Sequence, residues 1–236
     1  MKCVKEELVW EMYQKCGLGS NDYCEKCKEN NKLGLPVGLW QYGEEFDDSE
    51  YKVMFVGKTA ITDEKDDIPT DLERYERYAK VGDELFAKNY SAYWSYVKEI
   101  TEELYGKDSW EKIAFSNLIK CNNASTNDET DDTAKKFCCE KNKILLKEIE
   151  IIKPNSVIFM VGIDYIENIK EMFQDSNNFS CNEVEMICVG NKKMPYWIFS
   201  LNDSNGKNIK CLVIGHPQYK NKQDYVRIVV DFIKNK

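Results

Sequence analysis

The sequence has little histidine and no excess of positive charge. His216 is the only histidine in 236 residues. The formal net charge of -8 argues against a generally basic nucleic-acid-binding surface, although a local basic patch is compatible with it. No apolar run reaches membrane-spanning length, and the N-terminus MKCVKEELVW is too polar for a signal peptide. We therefore expect a cytoplasmic protein without a membrane partner.

Cysteine, by contrast, is abundant, with ten residues. A reducing compartment disfavours a disulfide framework, so metal binding or simple burial becomes the better explanation. Cys24 and Cys27 form a C-x-x-C, which can hold one metal ion or one edge of a cluster. Cys121 and the pair Cys138 and Cys139 could meet them in space, and the spacing alone fits either Zn²⁺ or a [4Fe–4S] cluster. The alternative is a fortuitous C-x-x-C with the other thiols buried.

The remaining cysteines are isolated in the sequence. We interpret Cys181, Cys188 and Cys211 as small core residues, because cysteine in strand-like surroundings usually packs as an apolar side chain.

Short apolar runs alternate with helical patterns along the chain. The runs that predict buried inner strands are 51–57, 113–120, 156–162 and 210–215. Such alternation is typical of βαβ units, so we predict an α/β fold with a mainly parallel sheet covered by helices on both faces. We expect one domain over residues 1–236, with a cysteine-bearing helical segment at about 1–45 packed on it.

Polar segments follow three of these strands. They are KTAITDE after the first, LIKCNN after the second and HPQ after the last. Ligands of parallel sheets bind at the carboxyl ends of the strands, so His216 is predicted to lie at the ligand edge. The alternative is a histidine that only forms hydrogen bonds within its own loop and has no role in a site.

Five motifs follow one another along the chain: CEKC, FVGKTAITDE, FSNLIKC, CCEKNKILLKEIEIIKPNSVIFMVG and VIGHPQ. Their order resembles the uracil-DNA glycosylase superfamily, most closely its iron–sulfur branch, the family 4 type. The similarity extends from about residue 8 to the end. The resemblance implies a three-layer αβα sandwich and cleavage of the base–sugar bond of uracil or a related damaged base in DNA, after the nucleotide leaves the stack.

The resemblance also implies a structural [4Fe–4S] cluster, with zinc as the alternative. Its ligands match Cys24, Cys27, Cys121 and Cys138, where Cys139 is an alternative to Cys138. Cys138 is preferred because, counted back from Pro154 along a helix, it keeps the family's helix face. Cys16 is a reserve ligand.

The resemblance assigns the reaction to a histidine and an asparagine. His216 matches the histidine that donates a hydrogen bond to the leaving base, and Asn117 matches the asparagine that recognises the base edge. Backbone N–H groups near Gly57 are expected at the pocket. The other expected substrate contacts, of which the last two would meet DNA phosphates, are Lys58, Thr59, Lys120 and Gln218.

The loop after the first strand departs from the family pattern. Lys58 stands where the family has a glutamate, so Asp63 or Glu64 would have to supply the carboxylate. The family's base-stacking aromatic residue is also missing, and its candidate substitutes are Tyr75, Tyr78 and Phe86. Two alternatives stay open: a superfamily member that binds nucleic acid or a nucleotide without excision, and a zinc-containing α/β enzyme of another class. We expect a monomer.

Overall fold

The computed structural model describes residues 4–30, 33–36, 39, 41–59, 84, 86, 92–123, 132–176, 179–218 and 220–235. Within these ranges no helix combines the length and the apolar character needed to cross a lipid bilayer.

The described residues form a mixed α/β structure. The helices are α1 (Val4–Lys15), α2 (Asp22–Asn30), α3 (Ala92–Tyr105), α4 (Asp132–Lys135), α5 (Ile144–Ile152), α6 (Ile166–Phe173) and α7 (Lys222–Lys234). Two 3-10 turns, Trp110–Lys112 and Ile163–Tyr165, and a π-helical segment, Lys136–Asn142, complete the helical elements. The strands are β1 (Leu33–Pro36), β2 (Gln41–Tyr42), β3 (Val53–Gly57), β4 (Ala114–Asn117), β5 (Cys121–Asn123), β6 (Ser156–Met160), β7 (Ser180–Cys181), β8 (Glu185–Val189), β9 (Lys192–Asn202) and β10 (Asn208–Ile214).

Eight of the strands form one sheet in the order β2-β4-β3-β6-β10-β9-β7, with β8 also paired to β9. The prediction of a mainly parallel sheet is wrong. Three neighbouring pairs are parallel and four are antiparallel. The reason lies in the connections: β8, β9 and β10 follow one another through turns too short for the crossover that parallel pairing needs.

The parallel centre of the sheet is apolar on both faces. Every residue of β3 and β6 is buried, as expected for strands covered on both sides. Because side chains alternate along a strand, Met54 and Val56 belong to an apolar cluster that contains residues of α1, α5 and α6. Val53 and Phe55 belong to a second cluster that contains residues of α3 and α7.

Two of the three isolated cysteines are not core residues. Cys211, in the central strand β10, is fully buried, as predicted. Cys181 and Cys188 are exposed, so their predicted burial is wrong. They lie in β7 and β8, which pair only with β9 and are largely open to solvent.

Candidate active site

The predicted site residues Gly57, Asn117 and His216 lie at one edge of the sheet. Gly57 and Asn117 end β3 and β4 and face each other in register, and His216 follows the end of β10. The chain passes from β3 to β4 on one side and then to β6 on the other, so the switch point lies outside the ends of β3 and β6. That crevice is where open α/β sheets bind ligands. β4 and β10 are three strand spacings apart, about 14 Å.

Gly57 is required for space. A Cβ atom at this position would lie 2.5 Å from Asn117 Oδ1, 3.3 Å from the Tyr93 hydroxyl and 3.4 Å from the Phe115 ring. Asn117 is itself only 4% exposed. The side chains of Asn117 and Tyr93 therefore occupy the space above the glycine.

Tyr93, near the start of α3, lies beside Gly57 and Asn117 and also contacts His216. The Tyr93 and His216 ring centroids are 5.5 Å apart, with an interplanar angle of 33°. The Tyr93 hydroxyl is buried and has no hydrogen-bond partner in the described part of the chain. Burial raises the pKa of Tyr93 far above its ordinary value, so the phenol keeps its proton at neutral pH.

The backbone on either side of His216 is held by two tyrosines. The Tyr225 hydroxyl, from α7, donates to the Gly215 carbonyl at 2.9 Å. Tyr96, from α3, donates to the Lys220 carbonyl at 2.8 Å. These bonds attach the loop after β10 to two helices, and they explain how a loop residue such as His216 can hold a fixed position.

The hydrogen bonding of His216 favours one tautomer. The backbone N–H of Gln218 donates to His216 Nδ1 over a long 3.4 Å. A neutral imidazole whose Nδ1 accepts a hydrogen bond has its proton on Nε2. Nε2 is then a donor suited to an oxygen atom. Gln218 is exposed, which suits its predicted surface role.

Ser116, the residue before Asn117 in β4, lies on the other face of the strand and contacts a buried ion pair. Lys120 Nζ lies 2.7 Å from each oxygen of the Glu148 carboxylate, and neither side chain is exposed. Ser116 Oγ donates to the same carboxylate at 2.7 Å, and Tyr13 of α1 donates to it as well. The prediction that Lys120 contacts DNA phosphates is wrong, because its ammonium group is enclosed with an internal carboxylate.

The segments that follow β3 and β4 are bonded to each other. Leu118 N–H donates to the Gly57 carbonyl and Ile119 N–H to the Lys58 carbonyl, both at 2.8 Å. Thr59 Oγ1 donates to the Cys121 carbonyl at 2.7 Å. Lys58 and Thr59 are partly exposed at the site edge. These bonds connect the candidate pocket to the strand that contains Cys121.

Several predicted site residues give no further detail of the pocket. Asp63, Glu64, Tyr75 and Tyr78 lie outside the described residues. Phe86 is 4% exposed, and its ring centroid lies 4.6 Å from that of Trp110 in the apolar core. Phe86 is therefore a core residue and not a base-stacking one.

The four cysteines of the predicted metal site are all buried: Cys24, Cys27, Cys121 and Cys138. Burial, together with the nearby thiols of Cys27 and Cys24, raises the pKa of Cys138 to about 12. The backbone N–H of Lys120 acts in the opposite direction, as does the Lys120 charge. The Cys138 thiol is therefore close enough to Cys27 and Cys24 to interact with them electrostatically. It also lies beside Lys120, which precedes Cys121.

Cys139 and Cys16 have different surroundings. Burial and the adjacent Cys138 raise the pKa of Cys139. Cys16 Sγ accepts a hydrogen bond from Lys147 Nζ at 3.1 Å. The helix is not continuous as the sequence suggested: a π-helical segment contains both adjacent cysteines, and Lys143, with φ of 48°, separates it from α5. Counting helix faces back from Pro154 is therefore not valid across this break.

The chemistry of the four thiols fits a thiolate-bound metal centre. Soft sulfur ligands suit iron–sulfur clusters and zinc. The side chains described here do not include three or more histidine, cysteine or acidic groups already arranged as ligands of an ion. The four thiols are candidate ligands by their chemistry, which does not distinguish iron from zinc.

Two surface grooves lie away from this edge. One, of about 560 Å³, is bounded by β8, β9, β10 and α7, and the other, of about 650 Å³, by α5, β9 and the turn before β10. Neither groove contains a predicted site residue.

Comparison with known proteins assigns no family. No protein-family model matches the chain, and no curated protein matches it significantly.

Sequence reasoning missed Tyr93 and Glu148. The spacing of Glu148 was an available signal, because it lies four residues from both Ile144 and Ile152, on the apolar face of α5. Tyr93 had no such signal, since its importance comes from Gly57 and His216, which are distant in sequence.

Proposed function

We propose that this protein hydrolyses the N-glycosidic bond of uracil or a related damaged base in DNA. The observation that supports this most is the grouping of Gly57, Asn117, Tyr93 and His216 at the carboxyl edge of the parallel strands. The motif resemblance supports the same reaction. DNA would be the partner, and we propose that the protein acts as a monomer.

The side chains are suited to a leaving base that becomes an anion. When the bond between C1′ and the base nitrogen breaks, its electron pair stays on the base, and water forms the new bond to C1′. His216, protonated on Nε2, would donate to a base oxygen and stabilise the negative charge. Asn117 would bind the base edge, because an amide offers both a donor and an acceptor. We assign the carboxylate that accepts the water proton to Asp63 or Glu64, which follow Thr59 in sequence.

We propose that Cys24, Cys27, Cys121 and Cys138 hold a [4Fe–4S] cluster, with zinc as the alternative. Its role would be to cross-link α2, β5 and the π-helical segment, away from the reacting bond. The burial of all four thiols and the proximity of Cys138 to the C-x-x-C support this assignment.

We further propose that the elements form three layers, with α1, α5 and α6 on one face of the sheet and α3 and α7 on the other. The support is the division of the apolar core into two clusters that use alternate residues of the same strands.

The test is release of uracil from single- and double-stranded oligonucleotides that contain one deoxyuridine. We expect release by the wild type and a loss of about 10²- to 10³-fold in His216→Ala and Asn117→Ala, the usual effect of removing a donor to a developing anion. Asn155→Ala is the control, because Asn155 lies at the opposite edge of the sheet, where it accepts from Lys207 at 2.6 Å.

Two outcomes would contradict the proposal. Full turnover by His216→Ala would remove the role given to that residue. Salt-dependent retention of DNA without any released base would favour the binding-only alternative.

The metal centre is tested separately on protein purified without oxygen. We expect a broad visible absorption band with iron and sulfide in equal amounts, lost in Cys24→Ser and kept in Cys188→Ser, whose thiol is exposed. Zinc without iron would contradict the cluster while leaving the four ligands in place.

A further inference from the structure

The Tyr93 hydroxyl is a polar group without a partner among the described residues. It is buried, and no atom of the described residues accepts or donates a hydrogen bond to it. Burying a hydroxyl without a partner is unfavourable, and phenylalanine would fill the same space without that cost. A buried unpaired group of this kind calls for a specific explanation, such as a bound water or a ligand.

The hydroxyl lies in the part of the site where a ligand is expected. Both Tyr93 Oη and Asn117 Oδ1 approach the point above Gly57 where a Cβ atom would be, at 3.3 Å and 2.5 Å. The two polar atoms are therefore close neighbours, yet they are not hydrogen-bonded to each other. A base edge that places a keto oxygen beside a ring N–H would satisfy both atoms, because the oxygen accepts from the Tyr93 hydroxyl and the N–H donates to Asn117 Oδ1.

The environment of Tyr93 keeps it a donor. Its ring packs edge-on against Phe115 at 5.9 Å and lies over His216 at 5.5 Å, so the side chain has little freedom to turn away. Burial raises its pKa far above the ordinary value, so the hydroxyl stays protonated across the neutral range.

We propose that Tyr93 is a specificity-determining residue, which donates its hydroxyl proton to a keto oxygen of the bound base beside the amide of Asn117. This inference rests on the proposed glycosylase function and narrows its substrate class. The keto oxygen of uracil accepts from the Tyr93 hydroxyl, and the adjacent ring N–H donates to Asn117 Oδ1. Cytosine has an amino group in place of that oxygen and no hydrogen on the adjacent ring nitrogen, so the Tyr93 proton and Asn117 Oδ1 both lose these partners. The site would therefore select uracil and other bases with a carbonyl at this edge over cytosine.

The test compares Tyr93→Phe with Tyr105→Phe. The control removes the same hydroxyl from the same helix, but twelve residues further along α3, about 18 Å from the site. We measure uracil release from a deoxyuridine oligonucleotide, and binding of matched oligonucleotides that carry deoxyuridine or deoxycytidine at one position.

In Tyr93→Phe we expect an unchanged or raised urea midpoint, since no internal hydrogen bond is lost. We also expect kcat/KM for uracil release to fall about tenfold, and the preference for deoxyuridine over deoxycytidine to narrow by a similar factor. Tyr105→Phe should keep both the rate and the preference.

The possible failures are distinguishable. If the wild type releases uracil and Tyr93→Phe equals it in rate and preference, the role of Tyr93 is overturned and the glycosylase function stands. If Tyr93→Phe loses activity only together with stability, the residue is structural and the inference is again overturned. If the wild type neither releases uracil nor prefers deoxyuridine, both proposals fail.

Discussion

Replacing Glu148 by glutamine should destabilise the fold severely, because it leaves a buried ammonium group without its counter-charge. In the wild type the Glu148 carboxylate accepts from Lys120, Ser116 and Tyr13 with no exposure to solvent. Breaking a buried ion pair on one side typically costs about 3–5 kcal/mol. The loss of stability also has an upper limit, because the buried lysine can release its proton instead of remaining charged. For an ordinary lysine pKa near 10.4, this release costs about 5 kcal/mol at pH 7. We therefore expect a loss of about 4 kcal/mol in the free energy of unfolding.

Urea unfolding with separate fits of midpoint and slope measures this loss, and a thermal midpoint lowered by about 10 °C should accompany it. The matched control is the double variant Lys120→Met/Glu148→Gln, which removes both charges of this pair. Its glutamine can still accept from Tyr13 and donate to Ser116, so we expect it to recover more than half of the loss.

The pH dependence has a definite sign. Burial lowers the pKa of Lys120, and removing the Glu148 charge lowers it further. Between that lowered pKa and the ordinary one, the unfolded chain binds a proton that the folded chain has released, so the stability of Glu148→Gln should rise with pH. A loss below about 1 kcal/mol at pH 7, or a double variant as unstable as the single one, would refute this account of the ion pair.

Two further predictions concern the region around β2. Gly43→Ala should lower the free energy of unfolding by about 1–3 kcal/mol, because the new Cβ would lie 2.0 Å from the Glu111 carbonyl oxygen; an unchanged urea midpoint would contradict this. Partial burial alone would raise the pKa of Asp47, but hydrogen bonds from Lys5 and Tyr42 and the nearby positive charges lower it. Asp47 therefore stabilises the fold above its ordinary pKa of about 3.9, and this contribution is lost as the pH falls through its lower folded pKa. The stability difference between wild type and Asp47→Asn, measured by urea unfolding at pH 6 and at pH 3, should shrink at the lower pH.

The sequence by itself determined the central strands and the edge at which the candidate site lies. Continuous apolar runs predicted β3, β4, β6 and β10 within a few residues, because a strand covered on both faces needs apolar side chains at every position. The polar residues that follow these strands predicted the grouping of Gly57, Asn117 and His216, because the ends of parallel strands share an edge.

Other features were decided only by tertiary structure. The sheet has more antiparallel than parallel pairs because short turns join its last strands. Lys120 is internal because the helix register brings Glu148 under it, although the two are 28 positions apart. Tyr93 meets His216 across 123 positions of the chain, and a π-helical segment interrupts the helix that contains Cys138 and Cys139. Local sequence patterns set which residues are buried and in which element. Which buried groups contact each other depends on strand order and helix packing, and these are properties of the whole chain.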